Sequence, residues 1–281
     1  MIDSQDVINI LGGSPLGQDQ NSGPEPTIRL DNTGTKQRIK PRIKPSYSLN
    51  KLIKSGSMTE IYSAQYPFKY GFSSNGNKKT RKKSIRSEEH RARSIIRAIN
   101  NIRRLTHLNF TENDKFLTLT FNNEQIFDIN NLKECLPFYQ KFIRRLHQLY
   151  PNLIYITVPE FQKRGAVHYH ILCNIPFIQK DELNKLWSYG FSKPRAIKSS
   201  THLAFYLCKY LGKRFDDKRK QGHRLFYSSR NLKKPQTYYG PIIEEISKKL
   251  EETHSDAVQY EREYDSKING NVKYRQYVKK K

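Results

Sequence analysis

Two alternating apolar runs separated by four residues constrain this chain more than any other feature. They are LIYITVPEF (153–161) and AVHYHILCNI (166–175). A gap of Gln162–Gly165 is too short for a crossover, so the runs must form an antiparallel hairpin. Successive side chains in a strand point to opposite faces. Val167, Tyr169 and Ile171 therefore share one face, and His168 and His170 sit side by side on the other. The spacing alone fits two half-exposed histidines on a polar strand face as well as a pair of metal ligands on one rigid element.

The turn decides what the histidines meet. If Lys163, Arg164 and Gly165 form a three-residue loop, Gly takes the left-handed last position that such loops favour. Gln162 then opposes Ala166, Phe161 opposes Val167, and Glu160 opposes His168. Opposed residues point to the same face, so Glu160, His168 and His170 converge. A carboxylate with two imidazoles suits Mg, Mn or Zn. A two-residue loop would turn Glu160 to the other face and leave it a solvated strand-end carboxylate. Pro159 removes a backbone donor and favours an edge or a bulge.

Elsewhere the pattern is mixed. FLTLTF (116–121) alternates cleanly, with Phe116, Thr118 and Thr120 on one face and Leu117, Leu119 and Phe121 on the other. IYSAQYPFKYGF (61–72) reads as strand and turn. A helix follows Ser87, with Ile95, Ile96, Ile99, Ile102 and Leu105 inward. A second is expected to start at Pro137 and run to about Tyr150, a third to span Asp181 to Ser188, and a fourth to run from about Ser200 to Leu211, with Gly212 ending it. Interspersed strands and helices, with two-faced strands, predict an α+β fold: an antiparallel sheet with helices packed on one side. Residues 1–57 are rich in Gly, Ser, Asn, Pro and Gln and are expected to be a mostly disordered basic arm. Its KQRIKPRIKP (36–45) could follow a phosphate backbone or merely be solvated. Residues 58–240 would form the domain and 241–281 a charged helical tail.

Charge names the class of partner. Lys and Arg number 51 against 26 Asp and Glu, a formal net charge of +25. Such an excess calls for a polyanion, and nucleic acid is the first candidate. No apolar run approaches a spanning helix, and MIDSQDVINI has neither the basic start nor the apolar core of a signal peptide, so no membrane is expected. Three cysteines without a CxxC pair suggest a reducing, cytoplasmic setting. No GxxxxGK[ST] occurs, so no nucleotide cofactor is expected.

FYLCKYLGK (205–213) holds YxxK twice, as Tyr206 with Lys209 and Tyr210 with Lys213. On a helix the two tyrosines would lie one turn apart on one face. They could be amphipathic packing residues beside Leu203, Leu207 and Leu211. They could equally be nucleophiles, since a tyrosine oxygen can form a covalent intermediate.

Taken together, these stretches resemble the HUH endonucleases, specifically the rolling-circle replication initiator (Rep) proteins of plasmids and small single-stranded DNA phages. FLTLTF looks like that family's first motif, GAVHYHIL (165–172) like its metal motif and YLCKYLGK (206–213) like its tyrosine motif. Histidines precede the tyrosine, as in Rep proteins and unlike relaxases. The resemblance spans roughly Thr59 to Gly240. It implies an RRM-like, HUH endonuclease fold, Mg or Mn as the working metal, and a 5′-phosphotyrosine link to single-stranded DNA at a replication origin. It implies that His168 and His170 are the metal histidines, Glu160 the acidic ligand, Tyr206 the nucleophile and Lys209 its lysine. The doubled motif is similar to that of two-tyrosine phage initiators, making Tyr210 a second nucleophile with Lys213 beside it; in a one-tyrosine enzyme Tyr210 would be packing. No helicase ATPase domain is seen, so a host helicase would unwind the duplex. A non-catalytic RRM-like single-strand binder and an HUH transposase are the competing readings.

Overall fold

The computed structural model describes residues 27–30, 36–39, 46–71, 88–197, 207–208, 222–253 and 258–278. The chain divides into two compact units, one of residues 1–82 with 235–281 and one of 83–234.

The second unit carries the hairpin. It opens with a helix, α1 (Glu88–Asn109). Then come β5 (Lys115–Phe121), α2 (Leu132–Leu149), β6 (Tyr155–Phe161), β7 (Val167–Cys173), α3 (Lys180–Trp187) and β8 (Gly190–Ala196), and last the two-residue β9 (Tyr227–Ser228). All sheet neighbours are antiparallel, in the order β8-β5-β7-β6-β9. From β5 to β8 this is a β-α-β-β-α-β run, in which each helix carries the chain past one intervening strand.

One face of the sheet is sealed by α2 and α3. Leu117, Leu119, Phe121, Val167, Tyr169 and Ile171 pack there against Tyr139, Phe142, Leu146, Leu183 and Trp187. Trp187 is fully buried, and its indole N–H donates to the Thr120 carbonyl at 3.0 Å, tying α3 to β5. The α+β class and the packing of these two helices on one side are as expected. The opposite face is covered only in part: Ala98, Ile102 and Leu105 of α1, with Leu207, sit over Phe116, Ile156, Val158 and Leu172.

Several local readings need correction. The second helix does not start at Pro137. Asn131 accepts from the Lys133 amide, while its own side-chain amide donates to Glu134. This Asn-x-x-Glu cap starts the helix five residues earlier, and Pro137 lies inside it. In α1, Ile95 and Ile102 are buried, but Ile96 is 53% exposed because it lies about 100° around the helix from Ile95. Ser87 and most of the expected 200–211 helix lie outside the described residues; residues 207 and 208 are helical.

The first unit contains a second antiparallel sheet, in the order β10-β3-β4-β12-β11. Its strands are β3 (Ser46–Ser55), β4 (Met58–Tyr70), β10 (Gln236–Tyr239), β11 (Val258–Ser266) and β12 (Gly270–Val278). Helix α4 (Ile242–Thr253) covers one face through Ile243 and Ile246, against Leu52, Ile61, Tyr238 and Tyr277. Both chain ends thus differ from expectation. Residues 46–55 form a strand rather than a disordered arm, because Leu52 and Ile53 alternate across two buried faces. Farther upstream, β1 (Thr27–Leu30) pairs with β2 (Lys36–Ile39). The tail is helical only to Thr253. Its alternating VQYEREYDS and GNVKYRQYV form a hairpin that closes at Gly270, where φ is 65°. Among the described residues, no helix is long and apolar enough to cross a membrane.

Candidate metal centre

The hairpin has the three-residue register. Glu160 opposes His168 and Phe161 opposes Val167. The Gln162 amide donates to the Ala166 carbonyl at 2.9 Å, and Gly165 closes the turn at φ 106°. Gly165 is needed there because an L side chain is strained at that φ. Pro159 is accommodated because β9 pairs only with Ile156 and Thr157, leaving β6 as an edge beyond them.

Reading the register across four strands gives two rows on the face away from α2 and α3. One row runs Phe191, Thr120, His168, Glu160. The next runs Lys193, Thr118, His170, Val158. His170 is nearly buried and engaged at both ring nitrogens. Its Nε2 is 2.7 Å from a Glu160 carboxylate oxygen, and its Nδ1 is 3.3 Å from the Thr118 hydroxyl. The His168 and His170 rings lie 6.1 Å apart between centroids.

His168 differs from its neighbour. Its Nε2 is buried without a hydrogen-bond partner. Burial lowers its pKa to about 4, assisted by charge on His170 and Arg164 and opposed by Glu160. The ring is therefore neutral near pH 7, the form in which imidazole donates to a metal. A buried polar atom with no partner is costly, so such an atom calls for an explanation. A divalent cation would provide one: a carboxylate and two neutral imidazoles are a suitable donor set. As the side chains stand, no cluster of three or more metal-ligating groups is closed around one point among the described residues. The donor chemistry fits a metal; the ligand shell is not preassembled.

Tyr206, Lys209, Tyr210 and Lys213 lie outside the described residues. Their neighbours Leu207 and Cys208 are described. Leu207 is fully buried in the cluster of Phe116, Val158 and Leu172, on the sheet face that carries the histidines. The Cys208 thiol donates to the Ile99 carbonyl of α1 at 3.6 Å.

Other nucleophiles are poorly placed. Tyr169, between the two histidines in sequence, is fully buried on the opposite face, and burial raises its hydroxyl pKa well above the ordinary value. Burial also raises the Cys135 and Cys173 thiols to about 12 and Cys208 to about 11. None of the three carries appreciable thiolate at neutral pH. Thr118 is the site residue that the sequence did not reveal. FLTLTF put it on a polar face, but only the adjacency of β5 and β7 brings it to His170.

The site so defined is a Glu-His-His patch on the partly open face of an RRM-like antiparallel sheet. Over residues 114–215, a little more than a third of the chain, the sequence matches the family model for replication-associated proteins of the ORF2 type. The match supports a Rep-type replication initiator, and it takes in β5, the hairpin, β8 and the tyrosine segment. No curated protein and no solved structure matches the chain.

Proposed function

We propose that this protein is a rolling-circle replication initiator that nicks single-stranded DNA at a replication origin and holds the cut end on tyrosine. The reading is carried by one observation: Glu160, His168 and His170 share the sheet face into which Leu207, the neighbour of Tyr206, is packed. The match to the replication-associated family and the charge of +25 point the same way.

Glu160, His168 and His170 would hold Mg or Mn, which when bound supplies Lewis-acid polarisation of the scissile phosphate. The Thr118 hydroxyl fixes the His170 ring by its bond to Nδ1. The Tyr206 oxygen attacks phosphorus as its proton leaves. A P–O bond to tyrosine forms, the P–O3′ bond breaks, and the 3′ oxygen takes up a proton. The 5′ phosphate stays on the protein, and attack by a 3′-hydroxyl reverses the step and joins strands. Lys209 and Lys213 would screen charge on the phosphorane-like transition state. Tyr210 would serve the second cleavage that a rolling circle requires, and duplex opening would fall to a host helicase.

The test is to incubate the protein with a library of randomised single-stranded DNA and Mn. Covalent adducts are then isolated under denaturing conditions, and the attached strands sequenced. A 5′-linked adduct of defined sequence supports the reading. Strands that are bound but left intact with every divalent ion would make the protein a non-catalytic binder.

A further inference from the structure

The edge strand β8 places three exposed side chains beside the candidate metal centre. Phe191, Lys193 and Arg195 alternate along it on the histidine face, while Ser192 and Pro194 point the other way. Phe191 is 68% exposed, yet it stands in the row of Thr120, His168 and Glu160. From β8 to β7 is two interstrand steps, about 10 Å.

The strand beneath these side chains is fixed. Ser192 is buried, and both its amide and its hydroxyl donate to the Asn184 side-chain oxygen of α3, at 2.9 and 2.7 Å. Gly190 starts the strand at φ 150°, where a Cβ would collide with the Thr120 carbonyl oxygen and the Phe121 carbonyl carbon. Phe191 is thus held outward on a rigid element. Its exposure is not that of a mobile loop tip.

We infer that the outer face of β8 seats the single-stranded DNA that enters the metal centre, with Phe191 stacking on a base and Lys193 and Arg195 pairing phosphates. The choice of DNA as occupant rests on the nicking function proposed above. An exposed ring flanked by cations at alternate positions matches both parts of a single strand, since every base offers a π-face and every step a phosphate. Another β-strand is a poorer occupant for this edge, because Pro194 has no N–H to offer it.

The experiment is fluorescence anisotropy of a labelled single-stranded oligonucleotide with the full chain in chelator, so that binding is read without cleavage. Phe191→Ala should weaken binding roughly tenfold, the scale of one base–aromatic stack, and Phe191→Tyr should restore it. Lys193→Ala should weaken binding and lower the slope of log affinity against log salt by about 0.7. Phe191→Trp gives a second reading: the emission of the introduced indole should be quenched by the single strand. Wild-type affinity in both alanine variants, with no change in tryptophan emission in the Phe191→Trp protein, overturns the inference. If those variants bind normally while the wild type forms tyrosine adducts, the seat is refuted and the nicking reading survives. If they lose binding while no adduct forms with any divalent ion, the seat stands and the nicking reading fails.

Discussion

The Nε2 of His170 lies 2.7 Å from a carboxylate oxygen of Glu160, although the two residues belong to different strands and neither directly opposes the other. His170 opposes Val158, and Glu160 opposes His168. The contact is diagonal, within the reach of long side chains on one sheet face. With little solvent at either side chain, the pair is held close to His168, whose own Nε2 has no hydrogen-bond partner. A cation drawing on all three groups would gain two neutral imidazoles and one carboxylate, and it would relieve an unpaired buried nitrogen.

Replacing both histidines tests that assignment. In the protein with His168→Ala and His170→Ala, divalent-dependent cleavage should fall to background. Single-strand affinity should stay within about threefold, because backbone binding is carried by dispersed cations. A cleavage gel and an anisotropy titration on the same preparation check this. Wild-type cleavage by the double variant in chelator would remove the metal from the mechanism.

Thr118 supports the centre without being a ligand. Its hydroxyl reaches His170 Nδ1 at 3.3 Å from the neighbouring strand. Thr118→Val keeps the shape and removes the bond. The apparent Mn affinity, read from cleavage against Mn concentration, should weaken by about 10- to 100-fold, the usual cost of losing such a partner. Rate at saturating Mn should recover in large part. Thr118→Ser should restore the affinity, which a purely packing role for the methyl group would not.

Gly190 tests the scaffold on which β8 depends. In Gly190→Ala the new methyl would meet the main chain of Thr120 and Phe121, the strand that β8 pairs with. Backbone cannot swing aside as a flexible side chain can. The variant should lose at least about 1–3 kcal/mol of stability by urea denaturation, as overpacked sites do. A loss under about 0.5 kcal/mol, within the range of an ordinary surface substitution, would mean that β8 can shift without cost.

The site was legible because its key relation is local. Glu160 and His168 are eight positions apart, and a three-residue loop ending in Gly fixes which faces they share. Thr118 and Phe191 were not legible in the same way. Their rows require β5 to lie beside β7, and β8 beside β5, and neither pairing is local. The helix start at Leu132 was written in Asn131 and Glu134, but Pro137 is the louder signal. Strands β11 and β12 were hidden by charge: VQYEREYDS alternates as a strand should, yet its Glu, Arg and Asp content suggests a solvated helix.

The last prediction concerns the two tyrosines, which the doubled YxxK of residues 206–213 sets four positions apart. A rolling circle needs one cleavage to start and another to release the unit-length product. With two nucleophiles, the second can attack while the first still holds the 5′ end. Tyr206→Phe should therefore lose most initial nicking. Tyr210→Phe should still nick and form a covalent adduct, but it should be poor at the second cleavage and at strand joining. Digestion of the adduct and mass spectrometry of the nucleotide-bearing peptide identify the residue. Tyr169 is excluded as an acceptor by its burial on the opposite sheet face, and burial raises the Tyr227 hydroxyl as well. An adduct on either would overturn the assignment, and an adduct on Tyr210 alone would keep the chemistry and reverse the order of the pair.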